Sequence, residues 1–267
     1  GSDLLTERLN TTLSDAAVQD TLRKIESYSL QRSYGGSISR GGRTDNALLK
    51  YSVDAMRFSY DFSESYSRGV TQKYNKNRRN NVQASYNVQF PKGKGIRLFK
   101  WMSPLPLYGD DLSETKFFYF PTKLDVSATL SDNWSARKTR VKTSDPTISA
   151  SQTLQRSFGT GYNPLSNMSF TFSKRLNSNA SDYRGYRRLD MIKYLKPGIV
   201  TGANENYTAN YNPTLASWLK PSFRYQSAYN YSKNLNQETD AVNVGYSQRA
   251  SVNFSLDLKQ IKRAFTG

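Results

Sequence analysis

The chain contains no cysteine and no histidine. The first absence removes disulfide frameworks and thiolate metal sites. The second removes the commonest general base and the imidazole metal ligand. No apolar run approaches the ~20 residues of a transmembrane helix. That excludes helical spans only, because a β-span needs ~9–11 alternating residues and escapes a hydropathy window. Acidic residues are scarce beside basic ones, 21 Asp+Glu against 38 Lys+Arg, a formal charge of +17. Such a surplus is unusual for a globular enzyme and fits a chain that meets nucleic acid, acidic headgroups or glycans. Hydrophobic residues make up 36% of the 267, low for a large soluble core.

Aromatic residues, by contrast, are plentiful: 19 Tyr, 13 Phe and 3 Trp, which argues against a disordered polymer. A polar, aromatic-rich and aliphatic-poor chain matches a transmembrane β-barrel, where half of each strand meets lipid and aromatic girdles mark the interfaces.

The first segment, residues 1–26, reads as a short helix or linker. Ser14 is a candidate N-cap, Asp15 stands in the first turn, and Leu13 and Val18 occupy staple positions. Val18, Leu22 and Ile25 share one helical face. From residue 27 to 267 the period is two. Met56, Phe58, Tyr60 and Phe62 alternate with Arg57, Ser59, Asp61 and Ser63, and Leu124, Val126, Ala128 and Leu130 with Asp125, Ser127, Thr129 and Ser131. The same alternation recurs from Val242 to Leu258, far longer than the ~5–6 residues of a common strand. Alternation alone leaves open whether the apolar face meets a protein core or lipid. About nine strands are expected, near 27–39, 53–65, 78–90, 118–134, 148–162, 167–177, 204–212, 222–233 and 241–258.

The connections alternate in character. Ser67–Asn77, Ser135–Thr147, Asn177–Asn204 and Lys233–Asp240 are polar and charged; the others carry an aromatic-x-Pro tripeptide at Tyr119–Pro121, Tyr162–Pro164 and Tyr211–Pro213. Proline cannot donate to a ladder, and aromatics beside it suit a membrane interface. The 91–117 connection is the exception, long on the proline side. The expected fold is therefore all-β: an antiparallel meander of long strands forming a sector of a large outer-membrane β-barrel. Bacterial barrels close with an even strand number, so nine would not close alone. No signal peptide is read at the start, so the chain is expected to be a piece of a longer exported protein.

In this scheme Met56, Phe58, Tyr60, Phe62, Leu124, Val126, Leu130 and Trp134 are the lipid-facing candidates, with Trp134 toward the far girdle. The stretch Phe90–Gly109 interleaves cations with apolar residues, and Arg97, Phe99, Lys100 and Trp101 form a candidate interfacial element; a basic loop with a buried Trp is the alternative. The cation clusters Lys73–Asn81, Ser135–Lys142 and Tyr183–Asp190 read as charged loops facing anionic glycolipid. They lack the stacking platform or groove-reading helix of a nucleic-acid site. Asp54, Asp61 and Asp125 lie on polar strand faces without forming a pair, so no catalytic set, cofactor site or metal site is read and no enzyme activity is expected.

The order YSLQRSYGGSISRGGR, KYSVDAMRFSYDFSESYSRG, NNVQASYNVQFP, IRLFKWM and FFYFPTKLDVSATLSDNWSARKTR resembles the SprA family of the type 9 secretion system, also tied to gliding motility. GYNPLSNMSFTFS and VNFSLDLKQIKRAF resemble later segments of that family. The resemblance implies one sector of a very large barrel, of roughly 36-strand size, in the cell outer membrane. It implies a translocon through which folded cargo leaves the periplasm, with a PorV-like partner barrel, a plug protein, outer-membrane lipid and the rest of the longer chain as partners. Other readings are another outer-membrane barrel, a porin or lipid-export channel, and a soluble basic β protein binding nucleic acid or glycan.

Overall fold

The computed structural model describes residues 17, 19, 26–40, 46–91, 93, 95–97, 116–141, 143–183, 197–213, 218–235, 241–256 and 258–259. Nine long strands dominate: β1 (Tyr28–Ser39), β2 (Met56–Arg68), β3 (Gln72–Gln89), β6 (Lys123–Thr139), β7 (Thr147–Leu165), β8 (Met168–Asn179), β9 (Ile199–Tyr211), β10 (Leu219–Asn234) and β11 (Ala241–Leu256). Two two-residue strands, β4 (Ile96–Arg97) and β5 (Lys116–Phe117), pair with each other, and Phe117 pairs with Leu165 of β7. All eleven belong to one antiparallel sheet in the order β1-β2-β3-β6-β7-β8-β9-β10-β11, with β4 and β5 off that path. Apart from the insertion between β3 and β6, each long strand pairs with its successor. The sheet is not closed: β1 and β11 are its edges. The chain is all-β, as its period of two requires.

The strands are long because their ladders continue past the apolar stretch. Lys73–Asn81, expected as a charged loop, lies within β3 and is paired on both sides: Arg79 opposes Ser63 and Asn133, and Asn77 opposes Ser65 and Ser135. Ser135–Thr139 likewise belongs to β6. The expectation failed because both faces are polar there, so no period shows, while every backbone group still finds a neighbouring strand. The turn between β2 and β3 shrinks accordingly to Gly69–Thr71, closed by the Gly69 N–H donating to the Gln72 carbonyl at 3.0 Å. In the opposite sense, the strand expected from 118 begins only at Lys123. Pro121 has no N–H to give, and the Phe118 N–H donates instead to the Pro164 carbonyl at 2.7 Å.

A five-residue helix, Ala47–Tyr51, precedes β2 and has no counterpart among the expected elements; Asn46 caps it, its Oδ1 accepting from the Leu48 N–H at 3.0 Å. The helix expected before residue 27 falls outside the described residues except Ala17 and Gln19, both helical. The polar connection after β8 starts with a 3-10 turn at Ser181–Tyr183, and most of Tyr183–Asp190 lies outside the described residues. The chain re-enters β9 through Gly198 at φ +79, where a Cβ would stand 2.2 Å from the Asn179 carbonyl oxygen.

No second layer covers this sheet among the described residues. Their buried hydrophobic members are Val88, Ala136, Ala180 and Ala203, so only one is larger than alanine. A soluble domain with strands of this length would bury far more.

Candidate functional site: two faces of one wall

Directly opposed residues of an antiparallel pair share a face, so the register sorts the whole sheet. One face carries Phe58, Tyr60 and Phe62 of β2 beside Ala84, Val82 and Asn80 of β3, and these beside Ala128, Leu130 and Asp132 of β6. It continues through Phe158 and Leu154 of β7, Phe170 and Phe172 of β8, Tyr207 and Ala209 of β9, Phe223 and Tyr225 of β10, and Val252 and Ala250 of β11. All eight residues singled out from sequence, Met56, Phe58, Tyr60, Phe62, Leu124, Val126, Leu130 and Trp134, stand on this face. Trp134 lies five residues inside the end of β6, opposite Arg78, rather than at the strand terminus.

The other face is polar throughout. In β2 it shows Ser59, Asp61 and Ser63; in β6, Asp125, Ser127 and Thr129; in β9, Asn204, Asn206 and Thr208. Among the described positions of the nine long strands it carries no apolar side chain larger than alanine, save Ile199 beyond a register irregularity in β9. Its side chains bind one another across strands. Ser127 and Ser157 hydroxyls meet at 2.6 Å, the Ser131 hydroxyl donates to Asn81 Oδ1 at 2.7 Å, and Asn77 Nδ2 donates to the Ser65 hydroxyl at 3.3 Å. Lys123 Nζ lies 3.4 Å from Asp125 Oδ2, and Asn87 Nδ2 donates to the same carboxylate.

Among the described residues nothing covers the apolar face. Ile38 is 77% exposed, Tyr34 63% and Phe254 66%. Its aromatics assemble near the aromatic-proline end into a row that crosses four strands. Tyr162 stacks with Phe170 at 6.4 Å, Phe170 with Tyr207 at 6.1 Å, and Tyr207 meets Tyr225 edge-on at 6.0 Å. Tyr211 and Phe223 stack at 6.0 Å below them. Hydroxyls at this level find backbone partners: Tyr162 donates to the Phe118 carbonyl at 2.9 Å and Tyr86 to the Tyr51 carbonyl at 2.6 Å. Tyr119 and Phe120 project beyond, 56% and 59% exposed, with ring centroids 4.7 Å apart. Sequence spacing reveals Tyr162 and Tyr211 beside their prolines; the row itself depends on pairing register and is not legible in spacing.

Three charges interrupt the apolar face within β7, β8 and β9. Lys174 and Glu205 oppose each other and pair at 2.6 Å, and Arg156 donates to the Ser178 hydroxyl at 3.1 Å. Of the interfacial candidates, Arg97 lies in β4, while Phe99, Lys100 and Trp101 lie outside the described residues. No described helix is long and apolar enough to cross a membrane, which says nothing of crossing by strands. Among the described residues no group of three or more carboxylates gathers as a metal site. No protein-family model matches the chain, and no curated protein is significantly similar to it.

Proposed function

We propose that this chain is a sector of the wall of a SprA-like protein-conducting channel in the outer membrane, serving type 9 secretion and gliding motility. One observation carries the membrane part: the register gives a sheet with one uncovered apolar face and one polar face. Water solvates the second face and disfavours the first, whereas a barrel wall places lipid on one and a wet lumen on the other. In such a wall every backbone group away from an edge is hydrogen-bonded to a neighbouring strand, the condition for crossing hydrocarbon. The two open edges support a sector of a larger barrel, since an unpaired edge in lipid leaves a row of unsatisfied groups.

Height supports the same reading. β7 has 19 residues. At ~3.3 Å per residue and a tilt of about 40°, that length rises roughly 45–50 Å, well above an apolar band of about 25 Å. The excess is the part of β3, β6 and β7 past Leu130, where the apolar face turns mixed and Lys76, Arg78 and Asp132 stand among Trp134 and Ile148, a collar standing clear of the bilayer. Export of folded cargo, the PorV-like partner and the plug rest on the resemblance described above. The mechanism is passive: the wall excludes lipid and offers a wet surface of hydroxyls, amides and scattered charges that holds no apolar chain.

A photo-crosslinking residue placed in the full-length protein tests this. At Ser127 or Asn206, on the polar face, it captures exported proteins in secreting cells; at Val126 or Tyr207 it captures lipid or a partner barrel. Capture of small solutes or lipids alone at the polar positions indicates a porin or lipid-export channel instead. Recovery of the protein in the soluble fraction overturns the membrane reading altogether.

A further inference from the structure

The apolar face is not symmetric from end to end. At the aromatic-proline end, the last three positions of this face are uncharged in all nine long strands, for example Met56, Phe58 and Tyr60 of β2 and Leu124, Val126 and Ala128 of β6. At the other end, past Phe62 and Leu130, charges of both signs appear on the same face, with cations in the majority. Arg32 of β1 opposes Glu64 of β2, which opposes Arg78 of β3, and one position further Lys76 opposes Tyr66. Arg68 and Lys138 stand next beyond. We infer that Arg32, Lys76 and Arg78, with Tyr66 and Trp134, form a binding site for the phosphate monoester of an acylated sugar headgroup in the leaflet at the polar-loop end. The inference rests on the membrane reading above.

The geometry is that of a headgroup site. The three cations line a shallow hollow of about 550 Å³ whose floor includes Leu30, Tyr66 and Trp134. Glu64 holds Arg78 at 3.0 Å, which fixes the guanidinium and leaves donors free, because a guanidinium has five. Lys76 Nζ lies 5.8 Å from the Tyr66 ring centroid and 5.6 Å from that of Tyr74. Arg32 has no ion pair among the described residues. Glu64, 40% exposed, and Asp132, 7% exposed, also border the hollow, and three cations against two carboxylates leave its net charge positive. Acyl chains from such a headgroup would run down the apolar stripe that begins at Phe62, Val82 and Leu130. Aromatic rings at the level where the chain meets its headgroup suit an amphipathic ligand, and arginine suits a phosphate oxygen pair.

The test uses the full-length protein in nanodiscs of phosphatidylcholine carrying either lipid A with both phosphates or the same lipid A after enzymatic dephosphorylation. Lipid retained through purification is measured by mass spectrometry. Each cation near an anionic headgroup is worth about fivefold in partition, so R32Q/K76Q/R78Q lowers retention of the phosphorylated form on the order of 100-fold, and R32Q alone about fivefold. R57Q/R175Q/R224Q removes the same charge from the polar face and leaves retention unchanged. Equal retention of the two lipid A forms, or equal loss in both triple variants, overturns the site. Release by inorganic phosphate at equal concentration also overturns it, by assigning free phosphate in place of lipid. A protein that does not enter nanodiscs overturns the membrane reading with it, whereas insertion without retention overturns this inference alone.

Discussion

Val126 offers the sharpest test of what the apolar face touches. It stands near the middle of the apolar run of β6, between Tyr86 of β3 and Phe158 of β7, and is 40% exposed in the protein alone. In lipid, Val126→Arg places a guanidinium near mid-bilayer and costs about 2–4 kcal/mol. Val126→Trp is the discriminating partner. Hydrocarbon chains rearrange around a larger side chain, so in lipid the Trp variant stays within about 1 kcal/mol of the parent, whereas a packed protein core resists overpacking by about 1–3 kcal/mol. Thr129→Arg, on the opposite face between Gln83 and Gln155, is the third arm. It enters water beside amides and costs about 0.5 kcal/mol or less. The assay is urea unfolding of the full-length protein in phosphatidylcholine vesicles, comparing midpoints at constant slope. The reasoning fails if Trp is as damaging as Arg at 126, which would mean a protein layer on that face. It fails equally if Arg is as damaging at 129 as at 126, which would mean that the faces are not sorted as the register says.

Further outcomes follow from the same wall. Because the chain has no cysteine, single cysteines can be walked along β6; a membrane-impermeant maleimide labels positions 125, 127, 129 and 131 and spares 124, 126, 128 and 130, and uniform labelling would contradict a lipid-covered face. Glu205→Leu alone strands Lys174 on the apolar face and costs about 2–4 kcal/mol, while Lys174→Leu/Glu205→Leu together recovers most of it in the same urea titration. Gly198→Ala forces a Cβ into the left-handed region and against the Asn179 carbonyl; it costs about 1–3 kcal/mol, read as a lower unfolding midpoint. Tyr162→Phe removes the hydroxyl that donates to the Phe118 carbonyl and lowers stability by about 1 kcal/mol; no change would show that water replaces that bond.

The legible part of the fold is the part with contrast between its faces. Phe58, Tyr60 and Phe62 against Ser59 and Asp61 announce a strand and its orientation, and so do Leu124 to Leu130. Where both faces are polar, as from Gln72 to Asn81, the same backbone geometry leaves no trace in residue type, and the strand reads as a loop. The helix at Ala47–Tyr51 is too short for a period to establish itself. The aromatic row from Tyr162 to Tyr225 and the hollow at Arg32 and Arg78 are products of pairing between strands. Their members come from different strands, and no spacing rule within one strand can bring them together. The expected start at 118 ran through Pro121, which marks where a donor is missing and hence where the ladder of β6 cannot begin.

The polar reach of β3 has a consequence for how the wall is built. A strand with almost no apolar side chain on either face, as β3 is from Gln72 to Asn81, has little penalty for sliding past its neighbour by two residues, since most of its side chains exchange one wet environment for another. That part of β3 therefore takes much of its alignment from elsewhere: from the three-residue turn at Gly69–Thr71 and from the apolar rows beneath it. In the proposed membrane wall, alignment is inherited, passed upward from the rows that hydrocarbon would proofread to those it would not. Such a wall zips from its aromatic-proline end, and a substitution at Leu124 or Val88 would misplace Arg137 and Asn75 many residues away without touching either.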